Sequence, residues 1–561
     1  MHKFLKVIVD LLVITALFDL AIRSVIRLDR HWDTVCYHLP FAAMRGQLNL
    51  SYEMNDLMYL RYQGFPFLPE TIQGLLWKVT GSVNMTGIVN YLAFLVFIVF
   101  CQWMLRARFG LVAIIALTAP LVIIHTTTNY VDLFGNAFLA IGISTCFYIY
   151  LYPERITNNH ILWALAGFIA AAWSKYLLVP IVGFGFSCLI LACFYLPLSG
   201  INFKRKQLVV LFLLAILLST LPYLKNWILY ANPFWPIRVP FFSDWFPHIE
   251  GFDPHSERPN LLKNDTQFKL FIHSLFEINH PTQYAYRPRW IIDQGNADIA
   301  FRMGGFWCVG VVFYVIITML LLLVNNFKKG IKASFFLLGL FYFVAILPQS
   351  NELRYFLFLP LTWAAIIGMS FPIFKEKLPR LALFLPVCSI VLFGYMVSEN
   401  WAHYKIEKSS YLDVAKYWEA PSWWAILEKN KVYCAVNMIP KAILLSGPTM
   451  REYTIVDRSK ESLCPKNSLT LTKAGIKSAE AYLEESHSLF SNKKYHESIQ
   501  ACMKSLQLKP NYPEAYNNIC AANIDMGRKD DAISACNHAI ELRSDYSLAI
   551  NNLAWAMKMN K

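Results

Sequence analysis

Charged residues are scarce in this sequence. They make up 16% of its 561 residues, against roughly 25% in soluble domains, while 56% are hydrophobic and 15% aromatic. That balance excludes an ordinary soluble enzyme and reads as a polytopic membrane protein. A cleavage site is missing too. The first apolar segment, Phe4–Ile22, follows Lys3 and Lys6 without the small residues at which a signal peptide is cut, so it reads as a retained helix with a cytoplasmic N-terminus. The 12 cysteines show no metal-ligand spacing. Cys101, Cys146, Cys188 and Cys193 sit inside apolar runs, where thiols act as small hydrophobes. Ionisable residues within spans are few: Asp10 and Asp19 lie in the first segment, and Asp19 stands one turn before Arg23 as a local pair.

What is abundant is apolar runs of membrane length. After Phe4–Ile22 come Val83–Leu105, Leu111–Thr127, Leu133–Leu151, Ile156–Trp173, Leu177–Leu196, Leu208–Leu224, Phe306–Val324, Ala333–Leu347, Tyr355–Phe374 and Leu381–Val397, giving about eleven candidate spans. Alternating sides assigns to the cytoplasm loops that carry Arg106 and Arg108, Arg155, Lys204–Lys206, the group Lys328, Lys329 and Lys332, and the group Lys375, Lys377 and Arg380. The short loops on the other side carry one cation each, Lys175, Lys225 and Arg354. This asymmetry follows the positive-inside rule, so the net charge of +14 is explained by topology and implies no nucleic-acid partner. An odd span count places Leu28–Ser82, Ile237–Gly305 and everything after Val397 outside the cytoplasm. In the first of these, Pro66 and Pro69 frame a re-entry over Gly64–Gly81 that reads as a structured cap. The second is too long and too aromatic for a simple connector, and reads as a lid or an ordered loop.

The expected fold is mainly α: a polytopic helical membrane domain over 1–398, a small non-cytoplasmic α/β region over 399–477, and a helical-repeat domain over 478–561. Lys431–Val436 and Tyr453–Val456 are strand-like, and Pro440–Leu445 is helix-like. Beyond Ser478, positions thirty-four apart align Tyr482 with Tyr516, Ile499 with Ile533, Cys502 with Cys536 and Leu508 with Leu542. That period identifies tetratricopeptide repeats at 478–511 and 512–545, with a partial unit at 546–561. The last helix is expected to cap the stack, and the repeats to bind a protein partner or act as a spacer. Cys434, Cys464, Cys502, Cys520 and Cys536 are compatible with disulfides in an oxidising compartment or with helix packing.

Asp33, Glu70 and Asp132 fall on the same membrane face as the lone cations Lys175, Lys225 and Arg354. Carboxylates at that depth can deprotonate an acceptor or hold a metal, and cations there can neutralise the phosphate of a lipid-linked donor. Each cation alone is equally compatible with a snorkelling anchor, and the stretch Leu28–Gln47 around Asp33, with Tyr37 and His38, with a solvated interfacial loop.

The segments Trp32–Pro40 (WDTVCYHLP), Gly64–Trp77 (GFPFLPETIQGLLW), Leu224–Pro236 (LKNWILYANPFWP), Arg302–Trp307 (RMGGFW) and Glu352–Pro360 (ELRYFLFLP) resemble those of the GT-C superfamily of membrane glycosyltransferases, which includes protein O-mannosyltransferases and the lipid A aminoarabinose transferase. The resemblance implies that Asp33, in the first outer loop, is the catalytic base and that Asp132 matches a second acidic position. The family often pairs two acids at the first site; here Thr34 follows Asp33, so an adjacent metal-binding pair is absent and the need for a divalent metal is left open. The expected function is transfer of a sugar from a polyprenyl-phosphate donor to an acceptor hydroxyl of a protein, lipid or glycan, with inversion. Asp33 is then the base, Asp132 and Glu70 are further carboxylates, Lys225, Arg354 and Lys175 bind the donor phosphate, and Tyr37 and His38 bind substrate. The expected location is a bacterial inner membrane with a periplasmic C-terminal domain, or an endoplasmic-reticulum membrane with a lumenal one. The competing classes are a flippase of lipid-linked substrates and a non-catalytic anchor for the repeats.

Overall fold

The computed structural model describes residues 2–48, 52–198, 200–238, 245–249, 264–278, 290, 304–399, 408–418, 427–436, 444, 453–458, 460–465, 468–472 and 475–559. Most of Ile237–Gly305 and of the helix expected at Pro440–Leu445 lies outside them. Two compact units divide the chain: residues 1–49 with 58–417, and residues 50–57 with 418–561.

The first unit is a helical bundle, and each of the eleven apolar runs is helical in it. Among the described residues, eight helices are long and apolar enough to cross a membrane: Val83–Trp103, Asp132–Leu151, Tyr176–Tyr195, Arg205–Tyr230, Cys308–Asn325, Phe327–Ile346, Leu353–Lys377 and Leu381–Glu399. A ninth run is broken, with Phe109–Leu117 and Pro120–Thr126 meeting at 98°. The break has a local cause. Proline disfavours helical geometry in the residue before it, and Ala119 is accordingly extended, at φ −84° and ψ 110°. The remaining two are His2–Ile26, of 25 residues, and Asn158–Ala172, of only 15. Within the former, Asp19 and Arg23 form the expected i,i+4 ion pair at 2.8 Å.

Burial sorts the helices. Asp132–Leu151 and Leu353–Lys377 are enclosed along nearly their whole length, whereas Arg205–Tyr230 and Leu381–Glu399 turn most of their apolar surface outward, as lipid-facing helices do. The two central helices are pinned at one end by Asn136. Its amide donates to the carbonyls of Asp132 at 2.8 Å and Tyr355 at 3.2 Å, and its oxygen accepts from the Phe358 amide at 2.9 Å. That bond set carries Arg354 toward Asp132. On the same side, helices Leu39–Arg45 and Leu68–Thr80 cross at two glycines: a side chain on Gly74 would collide with the Ala42 carbonyl, and one on Gly46 with Gly74. Pro69 starts the second of these helices and Gly81 ends it in the left-handed region, at φ 68°, as a C′ glycine should.

The second unit contains a five-stranded sheet and a helical stack. Strands β1 (Tyr52–Glu53), β2 (Val432–Val436), β3 (Thr454–Arg458), β4 (Leu469–Thr472) and β5 (Gly475–Ile476) run in the order β1-β3-β2-β4-β5. Only the β4–β5 pair is antiparallel. Consecutive residues Tyr433, Cys434 and Ala435 are all buried, so both faces of the sheet are covered, the usual condition of parallel strands. A disulfide joins Cys434 to Cys464.

Helices Ala479–Ser491 and Tyr495–Leu508 form one hairpin, Pro513–Asp525 and Lys529–Leu542 another, and Ser547–Lys558 follows. Small side chains at the crossings, among them Ala479, Ala501, Ala515, Ala532 and Ala539, are buried and let the helices approach closely. The cysteines separate here. Cys520 and Cys536 form a disulfide within the second hairpin, whereas Cys502, the repeat equivalent of Cys536, is a buried thiol. The last helix packs through Ala549 and Ala556 but leaves Leu548, Trp555 and Met557 exposed, a more apolar outer face than a capping helix usually presents.

Candidate functional site

The polar residues of the membrane unit gather where the two central helices are pinned. The first outer loop enters through a tight turn. Asp29 accepts a hydrogen bond from the His31 amide at 3.2 Å and is also bonded by the His31 ring and the Thr34 hydroxyl. Burial pushes the Asp29 carboxyl up, but the charge of His31 and these hydrogen bonds outweigh it and bring it down to about 2. The ionised Asp29 thus fixes the start of a π-helical turn, Thr34–His38, that runs directly into Leu39–Arg45; such turns recur at functional sites. Asp33 stands at the N-terminal edge of this turn.

Arg354 Nη1 lies 3.1 Å from the Asp33 carboxylate. Its Nε donates to Glu352 at 3.3 Å and its Nη2 to the Tyr355 hydroxyl at 2.9 Å. Beside it, Lys175 forms an ion pair with Asp132, which opens its helix and so lies at the positive end of the helix dipole. The Tyr355 ring lies between the two cations, with the Lys175 ammonium 3.7 Å and the Arg354 guanidinium carbon 4.9 Å from its centroid. Burial is the largest influence on Lys175 and lowers its pKa, with Asp132 acting in the opposite direction. Glu70 and His38, both buried, meet at 3.1 Å. The glycine crossing sets that contact, because Glu70 lies one turn before Gly74 and His38 one turn before Ala42. Tyr37 packs 4.3 Å from the His38 ring. Burial raises the Tyr37 phenol well above its usual range, and the negative charge of Asp33 adds to the rise, so the group stays a neutral donor.

Of the predicted site residues, Asp33, Arg354, Asp132, Lys175, Glu70, Tyr37 and His38 therefore belong to one neighbourhood. Lys225 is placed otherwise: its ammonium donates to the Gln63 backbone carbonyl, and Asn226 next to it donates to Gly64 at 2.7 Å. Sequence reasoning passed over Tyr130, whose ring is approached by His31 at 6.4 Å, His38 at 5.4 Å, His125 at 5.7 Å and the Arg354 guanidinium at 5.3 Å. It also passed over His125, fully buried, with neither ring nitrogen hydrogen-bonded among the described residues. The signal was present as a polar run, His125–Tyr130, lodged between two apolar ones. The run is held by Asn90, which donates to the Thr128 carbonyl at 3.0 Å and accepts from the Phe134 amide at 3.0 Å, and by Gln73, which donates to the Asn129 carbonyl at 2.9 Å. Among the described residues, no group of three or more His, Cys, Asp or Glu side chains is placed to hold a metal ion.

Buried Arg354 and half-buried Lys175, beside carboxylates and flanked by tyrosines and histidines, can bind an anion and accept a proton within a few ångströms of each other. In the second unit, residues 479–512 and 513–546 match the tetratricopeptide-repeat family model. These are tetratricopeptide repeats. Each tetratricopeptide unit begins one residue later than the thirty-four-residue period suggested. No curated protein matches the sequence. Among solved structures, ArnT from Cupriavidus metallidurans in the apo state is similar to this chain over 83% of its length and 86% of ArnT, at 11% identity and a TM-score of 0.49.

Proposed function

We propose that the protein transfers a sugar from a polyprenyl-phosphate carrier to an acceptor hydroxyl on the non-cytoplasmic face of the membrane. The observation that carries this reading is the Asp33–Arg354 ion pair beside Lys175–Asp132: an acid suited to take a proton adjoins two cations suited to hold a phosphate. An arginine bound to the base also gives a natural order of events. In the resting site Arg354 occupies Asp33 as its ion-pair partner. A donor phosphate arriving at Arg354 and Lys175 competes for the guanidinium, loosening Asp33 and making it a stronger base when the acceptor is present.

The acceptor oxygen then attacks the anomeric carbon, and its proton passes to Asp33. The bond from that carbon to the phosphate oxygen breaks, and polyprenyl phosphate leaves with the electron pair, its charge balanced by Arg354 and Lys175. A single displacement inverts the anomeric centre. Tyr37 and His38 border the acceptor side, Asp132 keeps Lys175 charged, and Glu70 orients His38. Lys225 supports the Gln63–Gly64 corner and takes no part in the phosphate clamp.

The loops rich in Lys and Arg belong on the cytoplasmic side, and two disulfides in the second unit suit an oxidising compartment such as the periplasm or the lumen. The tetratricopeptide repeats, on the same side as the chemistry, then present a protein acceptor or a partner. The experiment is incubation of the purified full chain with labelled polyprenyl-phosphate sugars, with label followed into protein, lipid and glycan fractions. Label in one fraction, dependent on Asp33, is expected; movement of intact donor across vesicles without transfer would establish a flippase instead. A reporter active only outside the cytoplasm, fused after Lys561, should be active, and an active cytoplasmic reporter there would reverse the orientation.

A further inference from the structure

At the end of the bundle remote from these carboxylates lies a cavity of about 360 Å³, within the roughly 300–1,000 Å³ range of small-molecule sites. Three helices line it, leaving one side open: the last turns of Asp132–Leu151 and Tyr176–Tyr195 and the start of Phe327–Ile346. Its walls are apolar, formed by Phe147, Cys188, Leu191 and Phe336 among others. The ring of Phe336 packs 5.1 Å from Phe147 and 5.4 Å from Phe184, so the back of the cavity is a fixed aromatic surface. Its polar lining is confined to Tyr150, Tyr195 and Lys332.

We propose that this cavity binds one acyl chain of an anionic phospholipid, whose headgroup phosphate sits on Lys332 between Tyr150 and Tyr195. Three observations select that occupant. The walls offer nothing to a polar ligand, and a cavity lined in this way repels water and accepts hydrocarbon. Lys332 is exposed and, among the described residues, has no ion-pair partner, while Lys328, Lys329 and Arg155 lie at the same helix ends; clusters of this kind between spans attract anionic headgroups. Tyr150 and Tyr195 stand where tyrosines collect at the boundary of the hydrocarbon. The donor proposed above is a poor fit for this place, because its phosphate is assigned to Arg354 and Lys175 at the other end of the bundle. The site therefore stands or falls independently of the transfer reaction.

Native mass spectrometry of the full chain released from detergent tests the assignment, with palmitoyl-oleoyl phosphatidylglycerol or phosphatidylcholine added as the probe. The wild-type protein is expected to retain one phosphatidylglycerol at least tenfold more strongly than phosphatidylcholine. Lys332→Gln should abolish that preference while leaving weak retention of either lipid. Ala192→Phe, from the helix Tyr176–Tyr195, and, separately, Ala333→Phe, from the facing helix Phe327–Ile346, fill the cavity and should remove the retained lipid, in protein that still elutes as a single species. Equal retention of the two lipids by wild type, or phosphatidylglycerol retention unchanged in both filled variants, would overturn the proposal. So would displacement of the bound phosphatidylglycerol by equimolar polyprenyl phosphate, since the cavity would then belong to the donor's chain.

Discussion

The two units bury carboxylates in opposite ways. In the membrane unit Asp33, Asp132 and Glu70 each meet a cationic or imidazole partner, so burial is offset by a nearby charge. In the second unit Asp457 is buried as Asp132 is, yet its Oδ2 is 3.4 Å from the Tyr52 hydroxyl and its Oδ1 has no hydrogen-bond partner among the described residues. Burial accordingly lifts the Asp457 carboxyl from its ordinary 3.8 to about 7. A paired acid holds its charge over the physiological range and can serve chemistry or binding. One that lacks an ion-pair partner makes the surrounding structure sensitive to pH.

The sharpest way to break this contrast is to remove the charge proposed to react. Asp33→Asn should reduce label transfer by roughly two to four orders of magnitude while shifting the unfolding midpoint little, because Arg354 keeps Glu352 and Tyr355. Near wild-type transfer would move the base elsewhere, with Asp132 the first alternative. Next comes pairing itself. Lys175→Met leaves Asp132 buried without its cation and should cost about 3–5 kcal/mol of stability, visible as a lower thermal midpoint in detergent; an unchanged midpoint would mean that Asp132 finds another partner or takes up a proton.

Asp457 gives the complementary result. A carboxyl with a folded pKa above its unfolded one holds its proton more tightly when folded, so its contribution is complete below about pH 4 and is lost as pH rises through about 7. Asp457→Asn, neutral at every pH, should therefore stabilise β3 by about 2–4 kcal/mol at pH 8 and have little effect at pH 4. Hydrogen exchange of the β3 amides in the full chain reads this directly, and an effect equal at both pH values would show that the carboxyl is ionised throughout. The smallest effect is expected for Lys225→Met, which removes a bond to a backbone carbonyl worth about 1 kcal/mol. A loss of donor affinity as large as that of Arg354→Lys would return Lys225 to the phosphate clamp.

The helices of the membrane unit were legible because a run of apolar residues is a one-dimensional signal. The bend before Pro120 was equally written in the chain, though span length alone reads through it. Which cation meets which acid was not legible. Asp33 and Arg354 are 321 positions apart, and a lone cation on the outer face looks the same at Lys225 as at Lys175 until the helices are packed. Period alone left the repeat cysteines open: Cys502 and Cys536 are equivalent by it, yet Cys536 is bonded to Cys520 across one hairpin while Cys502 stays a thiol. The strand Lys431–Val436 could be read from its own residues. The two-residue β1 could not, since nothing in Tyr52–Glu53 suggests a strand until β3 lies beside it.

That short strand has a consequence for how the protein is made. Tyr52 is made early in synthesis, but its partner Ile455 follows some four hundred residues later, after the last long apolar helix. The sheet therefore cannot be completed until the apolar helices have been made, and β1 waits for its partner strand. A fragment beginning at Trp418 would be born with the opposite defect: the edge of β3 would be bare, a template for pairing with other chains. Tyr52 and Glu53 are thus made some four hundred positions before the strand that completes their pairing.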